Sequence, residues 1–307
     1  METGSKLIFI VSQPRAGSTL LQSVLSNNSE INTVSEPWIL LALAPLLRNN
    51  IATTKYDYNL TLNAVSEFEK KYPDFNLHKS AKTISDSFYQ KIFENKYKFI
   101  IDKTPRYYEI VDLIQNLYPN AKIIILKRNP IDVLLSLIKK RHIVKSKDLI
   151  WNNRDILLAP MIMQTFLDNN SDNENIIELR YEDMVHFPKD FFKNIYNKVD
   201  IKFFDEVLDI KNNKKTEGKF GDKNINSNHE YSQINSKTEK PSLSKEMKKF
   251  IQGYMYYLTP EFLIKYGSYN MEELSGKKTR VFDKFLKMAA KENNAISKSI
   301  YNKFARN

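Results

Sequence analysis

Apolar positions along the chain fall into a few short continuous runs, separated by longer stretches in which they recur at helical spacing. Leu7 to Val11, and the runs Phe99 to Ile101 and Ile123 to Leu126 within strands read over Lys98 to Asp102 and Ala121 to Leu126, are continuous and rich in β-branched residues, the pattern of strands buried on both faces; Ile176 to Leu179 is a further short strand, broken by Glu178. Ile31 to Val34 is a shorter, more polar candidate. Between them lie amphipathic patterns: Leu20, Leu21, Val24 and Leu25 before Asn27-Asn28, an apolar helix over 38–47, a more polar helical region over 49–97, and a helix from Tyr108 to Leu117. Asn129-Pro130 reads as an N-cap followed by a first helical residue, and Val133, Leu134, Leu137 and Ile138 share one face of the helix it opens; Asp132 belongs to its first turn. Helices over 244–258 and from Thr259-Pro260 follow. Strands alternating with helices predict a three-layer α/β fold around a mainly parallel sheet with right-handed crossovers.

Length and composition narrow the class. The 307 residues suffice for one large α/β domain, and 42% hydrophobic with 12% aromatic residues is ordinary for a globular protein. No apolar run approaches the ~20 residues of a membrane span. The absence of cysteine excludes disulfides, thiolate metal sites and a Cys nucleophile, and the four histidines lack metal-binding spacing. With no signal-peptide pattern at the N-terminus, a cytoplasmic protein is expected. A net charge of +11 favours an anionic ligand, but no basic stripe with interleaved aromatics marks a nucleic-acid reader. Residues 211–240 read as a long polar loop. The division expected is a main domain over 1–275 and a basic helical tail over 276–307, set off by Gly276. In that tail Phe282, Phe285, Leu286 and Ala289 share a face near Lys284, Lys287 and Lys291. Packing of this face on the main domain is the favoured reading; peripheral contact with an anionic membrane is the other.

The chemistry gathers where the strands end. After Val11 come Pro14-Arg15-Ala16-Gly17-Ser18-Thr19-Leu20-Leu21, a turn into a helix N-terminus. Unpaired backbone N–H groups, the helix dipole, two hydroxyls and a guanidinium there suit a phosphate or sulfate. The usual NTP-binding loop places Lys before the Ser/Thr; here Ser18 follows Gly17 directly. Glu36 stands at the end of the second strand, Lys103 at the end of the third, and Arg128, with Ser136 on the next helix, at the end of the fourth. Ligands of open α/β sheets lie at these ends.

With these residues together, the sequence resembles the sulfotransferases that use 3′-phosphoadenosine 5′-phosphosulfate (PAPS). Pro14 to Leu21 is similar to the family's 5′-phosphosulfate loop, Arg128-Asn129-Pro130 with Ser136 to its 3′-phosphate motif, and Leu179-Arg180-Tyr181-Glu182-Asp183-Met184-Val185 to a further segment; Thr259-Pro260-Glu261 matches its late helix start. The branch that contains tyrosylprotein sulfotransferases and related bacterial enzymes is closer, since Arg15 replaces the Lys of the small-molecule branch. Its disulfides and membrane anchor are absent here.

The resemblance implies a P-loop-like fold and metal-independent in-line transfer of a sulfuryl group from PAPS, leaving 3′,5′-diphosphoadenosine (PAP). It implies Glu36 as general base, with Arg15 and Lys103 stabilising the leaving phosphate. Arg15, Ala16, Gly17, Ser18, Thr19 and Leu20 would hold the 5′ end, Arg128 and Ser136 the 3′-phosphate, and Tyr181 the region of the adenine. The Ser and Lys that this branch adds from its later half correspond to no assigned residue, although Ser227, Ser232, Ser236 and Lys237 lie in the 211–240 loop. His142 is a cleft or surface histidine. The acceptor is a hydroxyl of a small molecule, carbohydrate, lipid or peptide. Two other classes stay open: a small-molecule or nucleotide kinase with a degenerate loop, which would require magnesium, and a non-catalytic nucleotide- or polyanion-binding module, which would bind without turnover.

Overall fold

A computed structural model describes residues 4–48, 58–94, 96–209, 241–267 and 276–292. Five strands form one sheet: β1 (Leu7–Ser12), β2 (Ile31–Ser35), β3 (Phe99–Lys103), β4 (Lys122–Lys127) and β5 (Ile176–Arg180). Their order is β2-β3-β1-β4-β5 and every neighbouring pair is parallel. The continuous aliphatic runs have a direct cause: alternate residues of each inner strand enter different cores. Phe9, Val11, Ile100, Ile123 and Ile125 pack with Tyr89, Tyr107, Tyr108 and Tyr118 on one face. Ile8, Ile10, Ile101, Ile124 and Leu126 pack with Leu21, Val24, Phe192, Ile195 and Tyr196 on the other. The three-layer α/β arrangement expected from the sequence is therefore what the chain adopts.

The helices differ in detail from their expected bounds. The polar region after Asn49 holds two helices among its described residues, Tyr58–Lys71 and Leu77–Phe93. Pro73 lies between them, and Asn76 caps the second by accepting from the Lys79 N–H at 2.8 Å. The helix expected from Tyr108 begins instead as a tight 3-10 turn, Pro105–Ile110, and only Val111–Leu117 is α-helical. The tight turn aims two consecutive tyrosines at different buried carboxylates. Tyr107 donates to Asp102 at 3.0 Å and Tyr108 to Asp155 at 2.9 Å.

Asn129 caps the Pro130–Arg141 helix as expected, accepting from the N–H groups of Ile131 (2.8 Å) and Asp132 (3.2 Å). Glu182 in turn accepts from the Asn129 N–H at 3.0 Å, which ties this helix start to the end of β5. Asn129→Ala is expected to lower stability by ~1 kcal/mol, the usual worth of such a cap, read as a lower urea midpoint.

A third core joins the Pro130–Arg141, Lys245–Leu258, Pro260–Tyr266 and Arg280–Glu292 helices. Phe282, Phe285, Leu286 and Ala289 are buried in it. The apolar face of the tail helix therefore packs on the parent fold and is not offered to a membrane. Gly276 is a point of close approach: a Cβ there would lie 2.4 Å from the Tyr256 nitrogen. Among the described residues no helix is long and apolar enough to cross a membrane. The 211–240 loop, with Ser227, Ser232, Ser236 and Lys237, lies outside the described residues.

Candidate active site

Parallel pairing brings the C-terminal ends of the strands level. Ser35 pairs with Lys103, Ile10 with Lys103, Ser12 with Leu126 and Lys127 with Arg180. Because β1 is central, with β3 on one side and β4 on the other, the loop after β1 is flanked by the residues that leave both neighbours. This is the crevice where the chain reverses its direction of travel across an open α/β sheet.

The loop itself turns sharply. The Ala16 N–H bonds the Gln13 carbonyl at 3.1 Å, and two residues adopt left-handed backbone, Arg15 at φ 77° and Gly17 at φ 96°. Gly17 is required twice over. Its φ disfavours any side chain, and a Cβ would sit 2.4 Å from the Tyr181 ring. It is the N-cap of the Ser18–Ser26 helix and supplies no side-chain cap. The first N–H groups of that helix, at Ser18 and Thr19, are thus the kind that an anion satisfies. Ala16 is buried against the fold, Ser18 is nearly so, and Thr19 and Leu20 are partly exposed.

Around this turn the structure gathers the residues singled out in the sequence. Arg15 Nε reaches Ser136 Oγ at 3.4 Å, so the hydroxyl eight residues beyond Arg128 meets the first loop. Arg128 donates from a terminal nitrogen to the Arg15 carbonyl at 3.1 Å, and its guanidinium lies 4.0 Å from the centre of the Tyr181 ring. Arg128 is only 8% exposed. Its Nε is shut off from solvent with no hydrogen-bond partner, and it pairs with no carboxylate among the described residues. A buried guanidinium in that condition is expensive without an anion, so the residues present fit a bound phosphate. Tyr181 is partly buried and packs on the second core, where it serves as wall to Gly17 and platform to Arg128.

On the other side of β1, Lys103 Nζ donates to Glu36 Oε1 at 2.8 Å, with the Lys side chain 1% and the Glu side chain 15% exposed. Pro37 follows Glu36 and holds its backbone extended. Behind Lys103, Asp102 is wholly buried and accepts from Tyr89, Tyr107 and Thr104 at 2.7, 3.0 and 2.9 Å. Burial pushes its pKa from 3.8 up to about 6, against the pull of those three hydroxyls and of Lys103. The folded protein then holds a proton that the unfolded chain has released between about pH 4 and pH 6, so the contribution of Asp102 to stability falls as pH rises through that window. Comparison of urea unfolding for the native protein and Asp102→Asn should show the native residue at a greater relative disadvantage near pH 7 than near pH 4.

Two functional-looking groups had no signal in the sequence. Arg106 forms a two-point ion pair with Asp155, through Nε at 2.9 Å and a terminal nitrogen at 2.7 Å, and lies 5.7 Å from the Trp38 ring centre. Asp155, 49 residues further along, also accepts from Tyr108 and Asn152, and its carbonyl takes the Gln13 amide at 2.9 Å. His142 is the exposed left-handed cap of the Pro130–Arg141 helix. Among the described residues no cluster of His, Cys, Asp and Glu has the grouping of a metal site.

The parallel sheet, the β1 turn and the cations beside it define an α/β protein of P-loop-like architecture whose strand-end crevice is lined by basic side chains. Sequence comparison carries this further: the profile of the sulfotransferase family matches residues 8–206, and the chain belongs to that family. Among curated proteins it is similar to nodulation protein NoeE of Sinorhizobium fredii, 32% identical over 132 residues, which is 43% of this chain and 30% of that protein. An uncharacterised protein of Aquifex aeolicus is 25% identical over 213 residues, 66% of this chain and 26% of the relative. The chain thus spans less than a third of the length of these relatives. Solved structures similar to it include the sulfotransferase domain from the curacin biosynthetic pathway (22% identity, TM-score 0.45, 66% of this chain and 76% of that one). Mouse sulfotransferase SULT7A1 complexed with PAP is another (14%, TM-score 0.43, 97% and 89%).

Proposed function

We propose that the chain transfers a sulfuryl group from PAPS to an acceptor hydroxyl, with Glu36 as the general base. The observation that carries this reading is Arg128, a buried guanidinium beside the phosphate turn with an unsatisfied Nε and no carboxylate partner among the described residues. Such a group calls for a second anion next to the one the turn would hold, and a 3′-phosphate supplies it. In this reading Arg128 and Ser136 hold the 3′-phosphate, while Arg15 and the N–H groups from Gly17 to Thr19 hold the 5′ end. Ala16 and Leu20 shape that turn, and Tyr181 backs Arg128 near the nucleoside.

The transfer is an in-line displacement. The acceptor oxygen forms a bond to sulfur as the bond from sulfur to the 5′-phosphate oxygen breaks, and its electron pair leaves with PAP. The acceptor proton passes to the Glu36 carboxylate. Charge that grows on the leaving phosphate is met by Arg15 and Lys103, fixed before the reaction begins. The Lys103–Glu36 pair gives both groups a resting partner: the Lys orients the carboxylate, and the carboxylate compensates a buried ammonium.

The test is incubation of the protein with PAPS and an extract of its own cell, followed by a search for products heavier by one sulfuryl group. Release of PAP together with such a product supports the reading. Turnover of ATP that depends on magnesium, with none of PAPS, would replace it by the kinase alternative.

A further inference from the structure

A cavity opens around Arg106 and Asp155, next to the Trp38 and Gln13 segments. Its volume is about 290 Å³, and Arg106, Tyr108, Glu109, Trp151, Arg154 and Asp155 line it. Two of its lining residues reach the site already described. Arg106 lies against Trp38, two residues beyond Glu36, and Asp155 holds the Gln13 side chain at the start of the phosphate turn. Its size is near the lower end for small-molecule pockets, with room for a ring rather than a long chain.

Two features of its walls select a chemistry. The charges are already matched. Arg106 is closed on Asp155 by two hydrogen bonds, and Arg154 is closed on Glu109 in the same two-point manner. Asp155 is further occupied by Tyr108 and Asn152. Two-point Arg–carboxylate pairs of this kind are strong and directional, so the cavity offers neither a spare cation for an anion nor a spare carboxylate for an amine. It offers the guanidinium N–H edges that those pairs leave over, which suit neutral hydroxyl groups. The other feature is Trp151, which is 85% exposed on the 3-10 segment Ser146–Asn152 while bordering this polar cavity. A large aromatic ring left in water at the rim of a polar pocket is an unspent binding surface. A flat apolar face beside a ring of hydrogen-bonding edges matches a pyranose, which has C–H faces and a hydroxyl perimeter.

We propose that this cavity is the acceptor subsite and that it receives a neutral sugar ring laid on Trp151, an assignment that rests on the sulfuryl-transfer reading given above. Arg106 and Asp155 are positioning residues in it, linking the sugar-binding wall to the Gln13 and Trp38 segments that flank the transfer site.

Saturation-transfer NMR with methyl glucoside, methyl galactoside and lactose as probes, in the presence of PAP, tests it on the full chain. At least one sugar should give a signal that Trp151→Ala weakens roughly tenfold and Trp151→Phe largely retains, the scale expected for one ring contact. Because Trp151 is exposed, the Ala variant is expected to keep the native melting temperature, and calorimetric affinity for PAP should be unchanged. If none of the sugars gives a Trp151-dependent signal while PAP binds, the subsite assignment is overturned and the donor reading stands. If para-nitrophenol or para-nitrophenyl sulfate binds in a Trp151-dependent way and the sugars do not, the subsite takes an aryl acceptor and the sugar class is wrong. Failure of the native protein to bind PAP would instead overturn the functional reading on which the assignment depends.

Discussion

Replacing Glu36 by Gln is expected to lower kcat by about 10²–10⁴-fold, the usual worth of general-base assistance, without weakening PAPS. Glu36 is paired with Lys103, and the substitution keeps that pairing in part. Gln keeps an oxygen that can accept from Lys103 Nζ, now bonded to Glu36 Oε1 at 2.8 Å, so the local geometry survives. What disappears is the charge able to take a proton. Lys103 is 1% exposed and would then face no carboxylate from Glu36, so its field falls more fully on the anionic donor and donor affinity holds or rises. The loss should be smallest for the most acidic phenols, which need least help to give up a proton, and largest for aliphatic alcohols. Single-turnover rates across acceptors of graded pKa make the measurement. A variant with near-native kcat on an alcohol would remove Glu36 from the role and leave His142, exposed at its helix end, as the next to examine.

The second large effect is on donor selectivity. Arg128→Ala should weaken PAP by the ~1.5–3 kcal/mol typical of a hydrogen bond to a charged group, or roughly 10- to 150-fold, and weaken AMP little. The AMP control matters because Arg128 does two things. It holds the Arg15 carbonyl at 3.1 Å, and in the proposed reading its otherwise unpaired Nε serves the 3′-phosphate. If the first role dominated, the turn would loosen and both nucleotides would lose affinity together. Equal losses in calorimetry would therefore take Arg128 away from the 3′-phosphate and make it a brace for the loop.

How much of this was readable in the chain depends on how local each signal is. The inner strands were legible because a parallel strand covered on both faces needs an unbroken apolar run, and Leu7 to Val11 and Ile123 to Leu126 supply one. The Asn129-Pro130 helix start was legible because a cap is set by adjacent residues. The Pro105–Ile110 and Ser146–Asn152 segments were not, since 3-10 turns carry no lasting periodicity. In the site, the strand-end positions of Arg15, Glu36, Lys103 and Arg128 followed from the pattern alone. That Ser136 reaches Arg15, or that Arg106 closes on Asp155, did not: those contacts are fixed by how distant segments pack. Asp155 in particular lies in the short helix Asn153–Leu157, which no sequence pattern marked. Its burial is visible only after folding.

The place of β1 in the sheet has a consequence for how the protein is made. Leu7 pairs with Ile100 and Ile8 with Lys122, so both partners of the central strand lie about a hundred residues downstream. During synthesis Leu7 to Val11 leaves the ribosome as a bare β-forming apolar segment and waits several seconds or more for β3 and then β4, at ordinary elongation rates of roughly 5–20 residues per second. The strand that leads into the 13–17 turn is thus the one longest exposed to wrong partners. A nascent chain arrested before β4 emerges would be a client for chaperones, and the turn after Ser12 would be among the last parts of the molecule to acquire its shape.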